Sequence, residues 1–165
     1  MKLTKLLPAQ CAPGRNHPVV LDTNILLDLY VFHDAKTHGL RPFLDADGFC
    51  FVASDQTIAE FANVLARAKF GLSSARQDEI LSSWQSAAHI IAPSELAPSP
   101  WRCKDRDDQV FLDLAWTRRP AVLLSKDLHV LRFAKRALHD GVQISNTLVV
   151  SGRDEGAGPP IGYVA

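Results

Sequence analysis

The feature that most restricts the fold of this chain is a recurring pair of elements. A short apolar run, too brief for a helix, meets an acidic or hydroxyl residue and is followed by apolar residues at helical spacing. Val19, Val20 and Leu21 run into Asp22, after which Ile25, Leu26, Leu29, Tyr30 and His33 mark one helical face. Phe49 to Ala53 run into Ser54, followed by Ile58, Phe61, Ala62 and Leu65. Ala121 to Leu124 run into Ser125, Lys126 and Asp127, followed by Val130, Leu131, Ala134 and Leu138, with Gly141 as the helix-ending residue. Continuous apolar runs of this length fit strands covered on both faces, and crossovers long enough to hold a helix fit parallel pairing. The expectation is an α/β fold, a three-layer α/β/α sandwich around a parallel sheet of about four to five strands.

The remaining elements follow the same logic. Val142 to Ile144 read as a further strand that could extend through 148–150, and His89 to Ala92 as another if the preceding helix stops early. That helix starts at Ser73 or Ser74, with Ile80, Leu81, Trp84, Ala87, Ala88 and Ile91 on its buried side. A short helix is expected over Pro42 to Ala46, and Gly71 closes the helix that Ser54 caps. Residues 1–17 lack periodicity and read as a loosely ordered arm, 18–150 as the domain, and the Gly- and Pro-rich stretch 151–165 as a flexible tail.

At 165 residues with 47% hydrophobic and 22% charged composition, the chain suits one globular domain with a real core. A formal net charge of +0 means that attraction to nucleic acid would need a local basic patch. Arg118, Arg119, Lys126, Arg132, Lys135 and Arg136 could form one, or could simply be solvated helix faces. Cys11, Cys50 and Cys103 show no C-x-x-C spacing, which argues against a disulfide framework and a zinc knuckle and for a reducing, cytoplasmic setting. Leu6, Leu7 and Pro8 are too short an apolar run for a secretory signal core, and no segment reaches membrane-spanning length.

The chemistry sits at the junctions. The carboxyl ends of parallel strands lie along one edge of a sheet, so acids distant in sequence can meet there. Asp22 and Asp127 follow strands directly. Glu60 lies off the apolar stripe in the second turn of its helix, and Asp105, Asp107 and Asp108 stand at a helix start, where the helix dipole favours them. Carboxylates gathered without a cation would raise one another's pKa values, a conflict that a hard divalent ion such as Mg²⁺ or Mn²⁺ removes. Such a site would activate a water against a phosphodiester, with Asn24 orienting water or a ligand and Ser125 fixing a carboxylate through its hydroxyl. Bland readings compete: Asp22 as a helix-terminal acid, Asp107 as the N-cap of its helix with Asp105 exposed, and the scattered histidines as surface residues. A phosphatase with an aspartyl nucleophile would want a second Asp where Asn24 stands, because an amide cannot exchange that proton.

Leu21-Asp22-Thr23-Asn24, an acid in the helix after Ser54, Asp105-Arg106-Asp107-Asp108 before Phe111-Leu112, and Ser125-Lys126-Asp127-Leu128 together resemble, in order and spacing, the PIN domain. The likeness is greatest to the VapC-like ribonucleases, the toxin components of toxin-antitoxin pairs, and covers roughly Val19 to Thr147. The resemblance implies a metal-dependent endoribonuclease acting on RNA through a Mg²⁺ or Mn²⁺ site, with a cognate antitoxin protein as partner; homodimers are common among such proteins. By position it implies Asp22, Glu60, Asp108 and Asp127 as metal-binding acids, with Asn24 and Ser125 beside them. Two positions depart from the pattern. Ser125 stands where threonine is usual, and an alternative alignment places Gln109 at the third acidic position and leaves Asp105, Asp107 and Asp108 to compete for the role. A catalytically silent PIN-like module that binds RNA or regulates is the rival expectation.

Overall fold

The computed structural model describes residues 17–38, 40–41 and 49–147. The arm over 1–16, the helix expected over 42–46, the strand extension over 148–150 and the tail from 151 lie outside the described residues. Strands β1 (His17–Leu21), β2 (Phe49–Ser54), β3 (Ala88–Ile91), β4 (Ala121–Leu124) and β5 (Val142–Ser145) form a five-stranded sheet in the order β3-β2-β1-β4-β5. Every pairing is parallel, with Val20 opposite Val52 on one side and Leu123 on the other. The α/β expectation therefore holds, at the upper end of its strand count.

Helices cover both faces. On one lie α1 (Thr23–Leu27), prolonged by a π turn (Asp28–Phe32), with α3 (Asp55–Leu65) and α4 (Ser74–Ala87); α2 (Ala35–His38) follows the π turn. On the other lie α5 (Arg106–Thr117), α6 (Leu128–Leu131) and α7 (Ala134–His139). Alternate strand residues feed the two cores. Val19, Leu21, Phe51 and Leu124 pack with Ile25, Phe61 and Trp84, whereas Val20, Val52 and Leu123 pack with Phe111, Leu114 and Val130. Val19 and Val20 are both 0% exposed, as a run without alternation requires of a central strand.

Local hydrogen bonds set the helix starts. Ser54 and Thr57 cap α3 reciprocally, Ser54 Oγ accepting from Thr57 N at 3.3 Å and Thr57 Oγ1 from Ser54 N at 3.0 Å. Ser73, rather than Ser74, caps α4. Gly141 follows α7 at φ +85°, a conformation that glycine adopts without a Cβ penalty.

Several expectations need correction. Ala88 and Ile91 are not helical: α4 ends at Ala87, Ala88 turns to extended geometry, and pairing with Phe51 carries the chain straight into β3. The helix does stop early, and the strand expected in that case over His89 to Ala92 is present over Ala88–Ile91; a buried apolar pair serves a helix or a strand equally. Gly71 ends a 3₁₀ turn (Ala68–Phe70), after α3 has already stopped at Leu65. The segment after Asp127 is broken into α6 and α7; Phe133 N bonds back to Val130 O at 3.1 Å, an i to i+3 contact that tightens the turn and leaves Leu138 44% exposed. Cys50 is disulfide-bonded and Cys103 is free, against the expectation that none of the cysteines pairs. Spacing along the chain says little about distance in the fold. Among the described residues no helix is long and apolar enough to cross a membrane.

Candidate functional site

The connections from β1 run outward through β2 and β3, whereas β4 and β5 lie on its other side, so the strand order reverses between β1 and β4. At such a switch point the loops after two neighbouring strands diverge and leave a crevice beyond their carboxyl ends. Asp22 follows β1 and Ser125 follows β4. The two turns are joined by main chain, Asp22 N donating to Leu124 O at 3.0 Å.

Asp22 takes the N-cap position of α1 without making a side-chain cap hydrogen bond, so the bland reading of it as a helix cap does not account for its carboxylate. That carboxylate, in a residue only 3% exposed, is held from across the switch point: Ser125 Oγ donates to Asp22 Oδ2 at 2.5 Å, and Asn24 Nδ2 donates to the same oxygen at 3.1 Å. Ser125 also accepts from Asp127 N at 3.0 Å, and Asn24 Oδ1 accepts from Lys126 N at 3.1 Å. Asp127 heads α6, accepting from His129 N at 2.7 Å. Asp22, Asn24, Ser125 and Asp127 thus form one hydrogen-bonded unit. Burial raises the Asp22 pKa; the Ser125 bond and the Asn24 and Thr23 amides pull it down, and the charge of Asp127 pushes it up again.

Glu60 reaches the same edge from α3. Thr23 Oγ1 donates to Glu60 Oε1 at 3.2 Å, tying the acid to the turn that carries Asp22. Thr23 is the one contributor that the sequence reading did not single out. The signal was its place between Asp22 and Asn24, where a hydroxyl in a first helical turn can reach sideways. Burial pushes Glu60 up to about 7, with Asp22, Asp107 and Asp108 adding like-charge repulsion against the Thr23 bond. Asp108 is pushed up to about 6, chiefly by burial and then by Asp22, Asp127 and Asp105, with His129 opposing. These carboxyl groups feel one another, although they come from four separate segments.

The three competing acids take different positions. Asp105, not Asp107, is the N-cap of α5, its Oδ1 accepting from Asp107 N at 2.9 Å, so its carboxylate is spent on the helix start. The choice turned on where the helix starts by a residue or two, which periodicity does not resolve. Asp107 is exposed, and Asp108 is half-buried with Cys103 Sγ 3.9 Å from its Oδ2. Gln109 faces elsewhere: its Nε2 donates to Ser99 Oγ, Trp101 O and Asp113 Oδ1 at 3.1, 2.9 and 2.8 Å, and its Oε1 accepts from Cys103 N at 2.8 Å. Of the basic residues, Lys126 is ion-paired, Arg119 lies over Trp116 at 3.5 Å and Arg132 over Phe133 at 5.6 Å, whereas Lys135 and Arg136 are exposed.

The donor set is all oxygen, which suits a hard divalent cation. Among the described residues no group of three His, Cys, Asp or Glu side chains stands ready to hold a metal ion.

The family model of the PIN domain matches residues 18–129. Among solved structures, the chain is similar to the crystal structure of VapBC2 from Rickettsia felis bound to a DNA fragment from their promoter. The match has 17% sequence identity and a TM-score of 0.55, over 79% of this chain and 98% of that one. At that identity the likeness is one of fold. No protein of curated function matches the chain.

Proposed function

The chain belongs to the PIN domain family, and from that premise we propose that it is a Mg²⁺- or Mn²⁺-dependent endoribonuclease, the toxin of a toxin-antitoxin pair, that hydrolyses RNA phosphodiester bonds at the acidic edge. The observation that carries the reading is the Ser125 bridge. One buried hydroxyl holds the carboxylate of Asp22 and the main chain of Asp127 together at the switch point, where ligands of such sheets bind.

In this reading Asp22, Asp108 and Asp127 would offer carboxylate oxygens to the metal, and Glu60, oriented by Thr23, would complete the acidic quartet. A bound divalent ion would supply an activated water and charge neutralisation at the leaving 3′ oxygen. Ser125 and Asn24 keep Asp22 in one rotamer, so that no reorganisation is needed when charge develops. Asn24 holds the 125–127 turn with its carbonyl while its amide holds Asp22. Its two ends are therefore both committed to positioning. The fold likeness to VapBC2, which is bound to its promoter DNA in that structure, supports a cognate antitoxin as partner. RNA as substrate and a homodimeric state rest on family resemblance; a cytoplasmic location rests on the sequence reading, whose cysteine argument the pairing of Cys50 does not support.

The test is RNA cleavage by purified protein with Mn²⁺, beside Asp22→Asn and Asp127→Asn prepared identically. Loss of cleavage in both is expected; cleavage that survives both overturns the assignment. The lack of a ready three-ligand group among the described residues favours a second reading, a PIN-like module without catalysis that binds RNA or regulates. Calorimetric Mn²⁺ titration separates the two, since that module shows no saturable binding that depends on Asp22.

A further inference from the structure

Beside the acidic edge lies an ion network that the cleavage chemistry does not use. Asp28 sits in the π turn that prolongs α1 and is only 8% exposed, yet it faces a lysine from the far side of the switch point. Lys126 Nζ pairs with Asp28 Oδ2 and lies 3.9 Å from Asp34 Oδ2. The local backbone is shaped for this. The π turn ends at His33, which adopts φ +51° without being glycine, and Asp34 N then bonds back to Asp28 O at 3.0 Å, so both carboxylates stand at one ammonium. π turns are rare and concentrate at functional sites, and a left-handed residue other than glycine persists only where its surroundings impose it.

Lys126 is the middle residue of Ser125-Lys126-Asp127. Its main-chain N–H is held by Asn24 and its ammonium by the π turn, so it is anchored to the α1 segment at both ends of the residue. Its neighbours are the hydroxyl that binds Asp22 and the acid that heads α6. Asp28 is buried while the Lys126 side chain is 38% exposed, and a pair that desolvates a carboxylate against a solvent-screened ammonium adds little net stability, so stability alone does not account for a charged pair at this junction.

We infer that Lys126, clamped by Asp28 and Asp34, is a positioning residue that sets the register of the Ser125–Asp127 turn against Asp22, and so the spacing of the acids that receive the metal. This rests on the metal-site reading above. Removing Lys126 alone would strand a buried charge, so the test uses two neutral pairs in the full chain, Asp28→Leu with Lys126→Met and Asp28→Asn with Lys126→Gln. Lys126→Arg serves as the conservative variant. Mn²⁺ affinity is read by titration calorimetry and by the electron paramagnetic resonance of free Mn²⁺, with thermal unfolding in a chelator as the stability control.

The expected result is Mn²⁺ binding weakened about 10- to 100-fold in the neutral pairs, the usual cost of losing support behind metal ligands. The unfolding midpoint should change little, and Lys126→Arg should retain most of the affinity. Wild-type affinity in either folded neutral pair overturns the inference and leaves the metal site standing. Absence of saturable Mn²⁺ binding in the wild type overturns both.

Discussion

Replacing Ser125 by alanine removes one oxygen and breaks two contacts. Ser125 is 0% exposed; its hydroxyl donates to the buried Asp22 carboxylate and accepts from Asp127 N. A hydrogen bond to a charged group contributes about 1.5–3 kcal/mol, and water cannot easily replace it at a site this enclosed. The expected loss in the metal-free protein near pH 8 is therefore about 2–3 kcal/mol, which for a domain of this size is a fall of roughly 4–12 °C in the unfolding midpoint. The penalty must also depend on pH. The Ser125 bond lowers the Asp22 pKa, so it is strongest to the ionised carboxylate, and its loss costs most above the Asp22 pKa and less where the acid is protonated. Ser125→Thr keeps the hydroxyl and should lose far less. Urea unfolding of wild type, Ser125→Ala and Ser125→Thr in a chelator, followed across a pH series, checks this. A penalty that stays constant across the series, or a Ser125→Ala protein as stable as wild type, would refute the argument that this hydroxyl supports a charged Asp22.

Two further predictions concern the other acids. Glu60 and Asp108 have folded-state pKa values raised to about 7 and about 6, so between the ordinary carboxylate range and those values the folded protein binds more protons than the unfolded chain. Stability of the metal-free protein should accordingly fall as pH rises from about 4 to 7. Unfolding midpoints across that range should show the fall, Glu60→Gln should flatten it and Mn²⁺ should offset it; a flat wild-type profile contradicts the electrostatic picture. Asp105 and Asp108 should separate by readout. Asp105→Ala removes an N-cap and should cost about 0.5–2 kcal/mol in urea unfolding with unchanged Mn²⁺ affinity, whereas Asp108→Asn should weaken Mn²⁺ binding.

Much of the fold was legible because its causes are local. Val19 to Leu21 and Ala121 to Leu124 carry no polar alternation, and only a strand buried on both faces tolerates that. Ser54 and Ser73 announced helix starts because the bonds that satisfy the first helical N–H groups come from side chains within a few residues. The same locality set the errors. Ala88 and Ile91 fit a helix face and a strand alike, and pairing with β2 decides between the two. One helix was read where α6 and α7 break at Phe133, because apolar spacing survives a tightened turn.

The sequence by itself determined that acids would stand where strands end, because an apolar run that stops at a carboxylate must bring it out of the core beside a helix start. Which of those acids meet was decided only by the tertiary structure. The reversal of strand order between β1 and β4 sets Asp22 against Ser125, a residue 103 positions away, and no window of sequence contains that pairing. The same holds for Thr23 on Glu60, for Lys126 on Asp28, and for Gln109, whose amide is taken up by the 99–103 loop and the neighbouring Asp113. Short-range sterics and hydrogen bonds write periodicity and caps into consecutive residues. The acidic edge depends on which strands pair, and that is settled by burying both faces of the whole sheet at once.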